Sequence, residues 1–328
     1  MSDIKHSAKD NATTGVVIGA PARLHLGFLD LNGSLGRRFG SIGLAVSEPE
    51  TRVVVEKSSK FAASGAESER AARLVRRLAQ ALGLSGAYKV DVAQAIPAHA
   101  GLGSGTQLAL AIGTGLARLN GNAISTRELG ELVERGARSA IGMAAFETGG
   151  FVIDGGRGPS EHAPPVLARH PFPDSWRVLL VMDPSALGVH GDGEKQAFAD
   201  LPEFSDIAAG HLSRLILMQL LPGLVEADLA TFGHALTEIQ YIVGSHFAPA
   251  QGGSPWSSPA VGRACARLAD AGAKGIGQSS WGPTGFAFVE TEAAAKRLYA
   301  SLVGDVTGMG LSLSVVRGRN SGAIIKSI

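Results

Sequence analysis

A run of small residues, Pro97-Ala98-His99-Ala100-Gly101-Leu102-Gly103-Ser104-Gly105-Thr106-Gln107, is the stretch of this chain whose composition points most directly to chemistry. Glycines at alternate positions leave backbone N–H groups with no Cβ in front of them, and Leu108, Ile112, Leu116 and Leu119 then recur at helical spacing. A helix N-terminus behind such a loop adds partial positive charge where an anion would sit, so the arrangement suits phosphate. A bare glycine loop serves equally as a tight turn. Neither common phosphate fingerprint is met: the third residue after Gly103 is Thr106, and no Gly-Lys-Ser/Thr follows.

Other segments carry polar side chains between glycines. Near the start, Arg23, His25 and Gly27 alternate with Leu24, Leu26 and Phe28, which puts a polar and an apolar face on one strand. Arg138-Ser139-Ala140-Ile141-Gly142 stands in the middle, and Gly272, Gly275 and Gly277 lead to Gln278-Ser279-Ser280-Trp281-Gly282-Pro283-Thr284-Gly285 near the end. His25 and His99 are phosphate or carboxylate donors, or structural histidines. Glu134 and Glu147 are the nearest carboxylates for a metal, and a helical Glu134 equally fits solvated surface. The stretch 188–194, with His190, Asp192 and Glu194, reads as a lid or as an ordinary loop.

Composition narrows the classes. The formal charge of +1 across 328 residues excludes the broad basic field that tracks a nucleic acid, so any anion site is local. A single cysteine, Cys265, excludes an internal disulfide and a cysteine-rich metal site. Residues 1–14 are polar, without the apolar core of a secretory signal, and read as a disordered lead-in. The apolar stretch 212–225 is short and broken by Gln219 and Pro222, so a cytoplasmic protein without a membrane partner is expected.

Particular elements must hold these residues. The pattern predicts strands over 15–28 and 51–56, a turn-rich return over 40–44, and a helix over 69–82 stopped by Gly83. A strand over 88–95 runs directly into the glycine loop, and a helix follows from Thr106. Ser125 with Glu128 forms a capping box for a helix reaching to about Arg138, and 151–154 is a strand. Prolines and histidines over 159–173 place a boundary between domains 15–165 and 166–328. The second half reads as a strand over 177–182, helices over 211–221, 229–242 and 260–271, and a strand over 286–289. Without regular βαβ spacing, the class is α+β.

Taken in order across nearly the whole chain, these segments resemble the GHMP kinase superfamily. There an N-terminal Pro-Gly-Arg-like strand, a Pro-x-x-x-Gly-Leu-Gly-Ser-Ser loop and a Gly-rich C-terminal motif line one cleft between two domains. The wording of Arg23-Leu24-His25-Leu26-Gly27-Phe28, of Gly36-Arg37-Arg38-Phe39-Gly40-Ser41, and of Gly277-Gln278-Ser279-Ser280-Trp281-Gly282-Pro283-Thr284 is similar to one branch, the β-ribofuranosylaminobenzene 5′-phosphate synthases. The resemblance implies a ribosomal-protein-like N-terminal α+β domain, a ferredoxin-like C-terminal domain and a homodimer. It implies phosphoribosyl pyrophosphate and 4-aminobenzoate as substrates, magnesium (Mg2+) as cofactor and a place in tetrahydromethanopterin synthesis.

Two departures from the kinases matter. Gly142 stands where the superfamily's kinases carry a catalytic Asp, and Gly105 stands where they carry the loop's second Ser, a magnesium ligand in several. Loss of a base impairs phosphoryl transfer to an alcohol, whereas ribosyl transfer to an arene carbon depends on stabilising a departing polyanion. On this resemblance, pyrophosphate falls to Ala100, Gly101, Leu102, Gly103, Ser104, Gly105, Thr106 and Gln107, and the catalytic set is Arg23, His25, Arg138 and Lys274. Gln278, Ser279, Ser280 and Trp281 would hold aminobenzoate and ribose, with Trp281 stacking on the ring or simply packing. Ser104, Thr106 and Glu147 would hold the metal. A GHMP small-molecule kinase and a non-catalytic ligand-binding relative are the competing readings.

Overall fold

The computed structural model describes residues 14–159, 162–186, 188 and 191–328, the side chains of 191–195 excepted. The lead-in expected over 1–14 therefore lies, but for its last residue, outside the described residues, as does His190.

A first sheet gathers β1 (Gly15–Asp30), β2 (Phe39–Ser58), β3 (Ala62–Gly65), β4 (Ala87–Gln94), β5 (Phe151–Asp154), β6 (Val166–His170) and, from the far end of the chain, β11 (Ile324–Ser327). The order is β11-β1-β2-β4-β3, with β5 on the other half of β2 and β6 outside it. β2 takes in both the predicted return and the predicted strand, because it pairs with β1 along nearly its whole length. Helices α1 (Ser68–Ala81), α2 (Ser104–Leu119), α3 (Thr126–Leu132) and α4 (Ile141–Glu147) belong to this domain. The α2 stripe of Leu108, Ile112 and Leu116 packs with Val16, Ile18, Val53 and Val55 of the sheet. Each such side chain contributes roughly 1.5–3 kcal/mol by leaving water.

The second sheet holds β7 (Arg177–Met182), β8 (Lys274–Gln278), β9 (Thr284–Val289) and β10 (Ser312–Val316) in the order β10-β7-β9-β8, every pair antiparallel. Around it lie α5 (Gly191–Asp200), α6 (Asp206–Leu215), α7 (Leu221–Val225), α8 (Leu229–Phe247), α9 (Pro259–Asp270) and α10 (Glu292–Gly308). The path β7-α8-β8-β9-α10-β10 is the ferredoxin-like split βαβ, with α9 inserted before β8. Val261 and Leu268 of α9 and Val306 of α10 share a cluster with Leu179, Val181 and Ala287 of this sheet. Val178, Leu180, Phe286 and Phe288 instead meet Phe232, Leu236 and Ile239 of α8 and, beyond them, Leu24, Leu26 and Phe28 of β1. One apolar layer thus joins the two domains.

The structure revises several boundaries. Residue 165 is not a domain edge: β6 pairs with β5, and β11 returns to pair with β1, so the first sheet takes chain from both sides of the second. α3 keeps its Ser125–Glu128 capping box but stops at Leu132 and not near Arg138, because Glu134 (φ 53°) and Gly136 (φ 85°) turn left-handed. The run from Asp206 to Val225 is helical throughout, with a π-helical stretch Ile216–Leu220 between α6 and α7. By length and composition it could cross a bilayer, yet Leu212, Leu215, Ile216, Leu220 and Leu224 are buried in the shared core.

Candidate active site

β4 delivers the chain to the glycine loop, and a bond from Ile96 N to Thr51 Oγ1 (3.2 Å) fixes the exit. His99, Gly101 and Gly103 are left-handed (φ 57°, 79° and 83°), which turns the chain sharply before α2 begins at Ser104. The loop lines a cleft of about 310 Å³ with Gly101, Gly103, Ser104, Gly105 and Thr106. Arg23 from β1, Arg70 from α1 and Arg135 from the turn after α3 line it too, and no carboxylate appears among its described lining residues.

Each loop glycine answers to a neighbour. A Cβ on Gly103 would stand 3.2 Å from Arg23 Cγ, and a Cβ on Gly101 would strike the Ser279 carbonyl. Arg23 is held to the loop twice: its N donates to Leu102 O (3.1 Å) and its Nη1 to Gly101 O. The turn after β8 braces the loop from the second domain. Ser279 Oγ donates to Gly101 O (2.7 Å) and accepts from His25 N (3.0 Å), and Thr284 Oγ1 donates to Ala100 O (2.7 Å). Gly282 lies so close to Gly101 N that no side chain fits, and a Cβ on Gly188 would stand 2.6 Å from Trp281 O. Three chain segments from two domains meet there backbone to backbone.

Of the expected anion-binding stretch, Gly101, Gly103, Ser104, Gly105 and Thr106 face the cleft. Ala100, Leu102 and Gln107 do not: all three are buried, and Gln107 Nε2 donates to Gly142 O (2.7 Å) from inside the domain. Arg23 is in place. His25 is not a cation: burial and the Arg23 charge push it down to about 3, and it faces a small separate pocket with Phe28, Gln240 and Phe247. The Arg138 guanidinium lies 5.0 Å from the centre of the Phe198 ring instead of lining the cleft. Lys274 is exposed at the start of β8, four residues and about 13 Å of strand from Gln278.

Among the residues assigned to the acceptor, Ser280 (φ 57°) opens onto the cleft and also onto the pocket beside His25. Gln278 is occupied by bonds to Ser257, Gln251 and the Ser280 carbonyl, and Ser279 by the brace just described. Trp281 reaches the cleft wall, and its ring stacks on Phe247 (4.3 Å between centroids) and meets Phe198 edge-on. The metal set does not assemble. Ser104 and Thr106 face the cleft, whereas Glu147 is exposed at the end of α4 and does not line it. Among the described residues no group of three His, Cys, Asp or Glu could hold a metal.

Arg70 and Arg135 escaped sequence reasoning. A charged residue in the first turn of a helix, or just past its end, reads the same whether it faces water or a cleft. Arg135 had one signal, the nearby Gly136 that ends α3 early. Gly142 adjoins the loop's helix: a Cβ there would stand 3.1 Å from Thr106 Cγ2.

A two-domain architecture with a glycine loop at the junction defines a class, and the comparisons agree. The GHMP kinases N terminal domain matches residues 69–150 and the GHMP kinases C terminal domain matches residues 220–305. Among solved structures, a homoserine kinase from Cytophaga hutchinsonii superposes with a TM-score of 0.67 at 19% identity, covering 99% of this chain and 100% of that one. A mevalonate diphosphate decarboxylase from Enterococcus faecalis gives 0.66 at 16%, covering 96% and 99%. These share the fold. Closer in sequence are two proteins named β-ribofuranosylphenol 5′-phosphate synthase. The one from Methanothermobacter thermautotrophicus is 32% identical over 94% of this chain and 98% of its own, and that from Archaeoglobus fulgidus is 36% identical over 83% and 87%. The chain belongs to the GHMP superfamily and, within it, to the family of these synthases.

Proposed function

We propose that the chain is a decarboxylating phosphoribosyltransferase, joining phosphoribosyl pyrophosphate to a para-substituted benzoate with release of carbon dioxide and pyrophosphate. The acceptor in our reading is 4-aminobenzoate; the relatives' names speak of a phenol, which points to a hydroxyl in the same para position for them. The observation that carries the reading is a glycine loop at a helix N-terminus facing Arg23, Arg70 and Arg135, with Gly142 beside Thr106 where a kinase needs its base.

The chemistry asks little of a base. The para substituent pushes electrons to the ring carbon bearing the carboxylate, and that carbon forms a bond to the anomeric carbon. The anomeric C–O bond breaks with its electron pair leaving on pyrophosphate. The bond to the carboxylate then breaks, its electrons restore the aromatic ring, and carbon dioxide departs. Cations and backbone N–H groups stabilise the departing polyanion. A role in tetrahydromethanopterin synthesis, a cytoplasmic location and a homodimer accompany this reading.

The test supplies carboxyl-labelled 4-aminobenzoate, or 4-hydroxybenzoate in a parallel arm, with phosphoribosyl pyrophosphate and magnesium, and measures labelled carbon dioxide and pyrophosphate. Folded protein releasing neither from either acceptor refutes the proposal. ADP formation from ATP and candidate alcohols would instead support a kinase.

A further inference from the structure

We propose that Arg70 and Arg135 form a paired-guanidinium clamp that grips the diphosphate over the first turn of α2, and that Gly105 is the position that admits it. The inference rests on the phosphoribosyl-transfer reading and specifies how its leaving group is held.

Both guanidiniums converge on one point. A Cβ on Gly105 would collide with Arg70 Nη2 and stand 3.3 Å from Arg135 Nη2. Arg23 adds a third guanidinium beside Gly103 in the same cleft. An anion seated between the two guanidiniums would meet both positive charges at once. Diphosphate carries oxygens on two phosphorus atoms, so each planar guanidinium can take two of them side by side.

The elements behind the clamp are tied. Arg70 pairs with Glu67 across 3.6 Å at the start of α1, with its side chain 24% exposed. Glu134, next to Arg135, accepts from Arg77 of α1 at 2.8 Å. α1 and the turn after α3 therefore present their cations together. Ser104 and Thr106 offer hydroxyls to the same cleft.

The experiment titrates inorganic pyrophosphate calorimetrically into the full chain in EDTA, without acceptor. Wild type should bind saturably. Arg70→Ala and Arg135→Ala should each weaken binding roughly ten- to a hundredfold, with partial recovery in the lysine variants. Gly105→Ala favours the helix, so it should fold at least as well as wild type while weakening binding by pushing Arg70 aside. Alanine variants of both arginines that bind pyrophosphate like wild type overturn the clamp, as does a wild type that binds it only with magnesium. Unchanged affinity in Gly105→Ala overturns the role of Gly105. Arginine-dependent binding without carbon dioxide release would refute the reaction and leave the clamp standing. Carbon dioxide release with arginine-independent binding would do the reverse.

Discussion

At the scale of single residues, burial decides which polar groups serve the cleft and which serve the frame. His25 illustrates the second case. Its folded value of about 3 lies below the ordinary 6.5, so between these the unfolded chain binds a proton that the folded chain does not. Stability tied to His25 is complete above pH 6.5 and falls as pH drops toward 3, by about 2 kcal/mol at pH 5. Urea denaturation at pH 7.5 and 5.0 should show that loss shrinking in His25→Gln. Asp154 acts in the opposite sense, since burial raises its carboxyl, but it is common to both proteins and cancels in the comparison. Ser279→Ala strips the buried His25 N–H of its acceptor, and the part-buried Gly101 carbonyl of one of its two donors, and should cost about 1–3 kcal/mol in the same measurement. Lys274→Ala should leave kcat/KM within about twofold of wild type, because surface charges away from a site contribute little; a tenfold loss would return Lys274 to the site.

At the scale of elements, strand, loop and helix were legible because alternation, glycine placement and helical periodicity are local properties. The helix over 69–82, the strand over 88–95 and the capping box at Ser125 were read within a residue or two of α1, β4 and α3. The end of α3 was not, and it decides whether Arg135 or Arg138 meets the cleft. The loop itself tolerates no side chain at Gly101, whose left-handed backbone alone costs another residue about 1 kcal/mol. Gly101→Ala should therefore reduce activity tenfold or more while far-ultraviolet circular dichroism stays native, since the collision with the Ser279 carbonyl displaces a loop that lies outside every helix and strand. Wild-type turnover in that variant would show the loop to be more pliant than its contacts imply.

For the whole molecule, the apolar layer shared by β1, α8 and the second sheet makes the two domains one folding unit. Denaturation followed by tryptophan fluorescence, which reports Trp176 and Trp281 in that layer and Trp256 beside the second domain's other cluster, should coincide with far-ultraviolet circular dichroism in a single transition. Two separated transitions would mean that the domains unfold independently.

The sequence alone determined the α+β class, the glycine loop at a helix start and the kinship that these carry. All depend on residues near one another in the chain or on motif wording. Only the tertiary structure decided that Arg70 and Arg135 join Arg23, that Arg138, Lys274 and Glu147 do not, and that His25 is buried and neutral. The physical reason is that a charge acquires its role from what lies across the cleft. Residues 23, 70, 105 and 135 come together only when β1, α1, α2 and the turn after α3 have packed around one sheet.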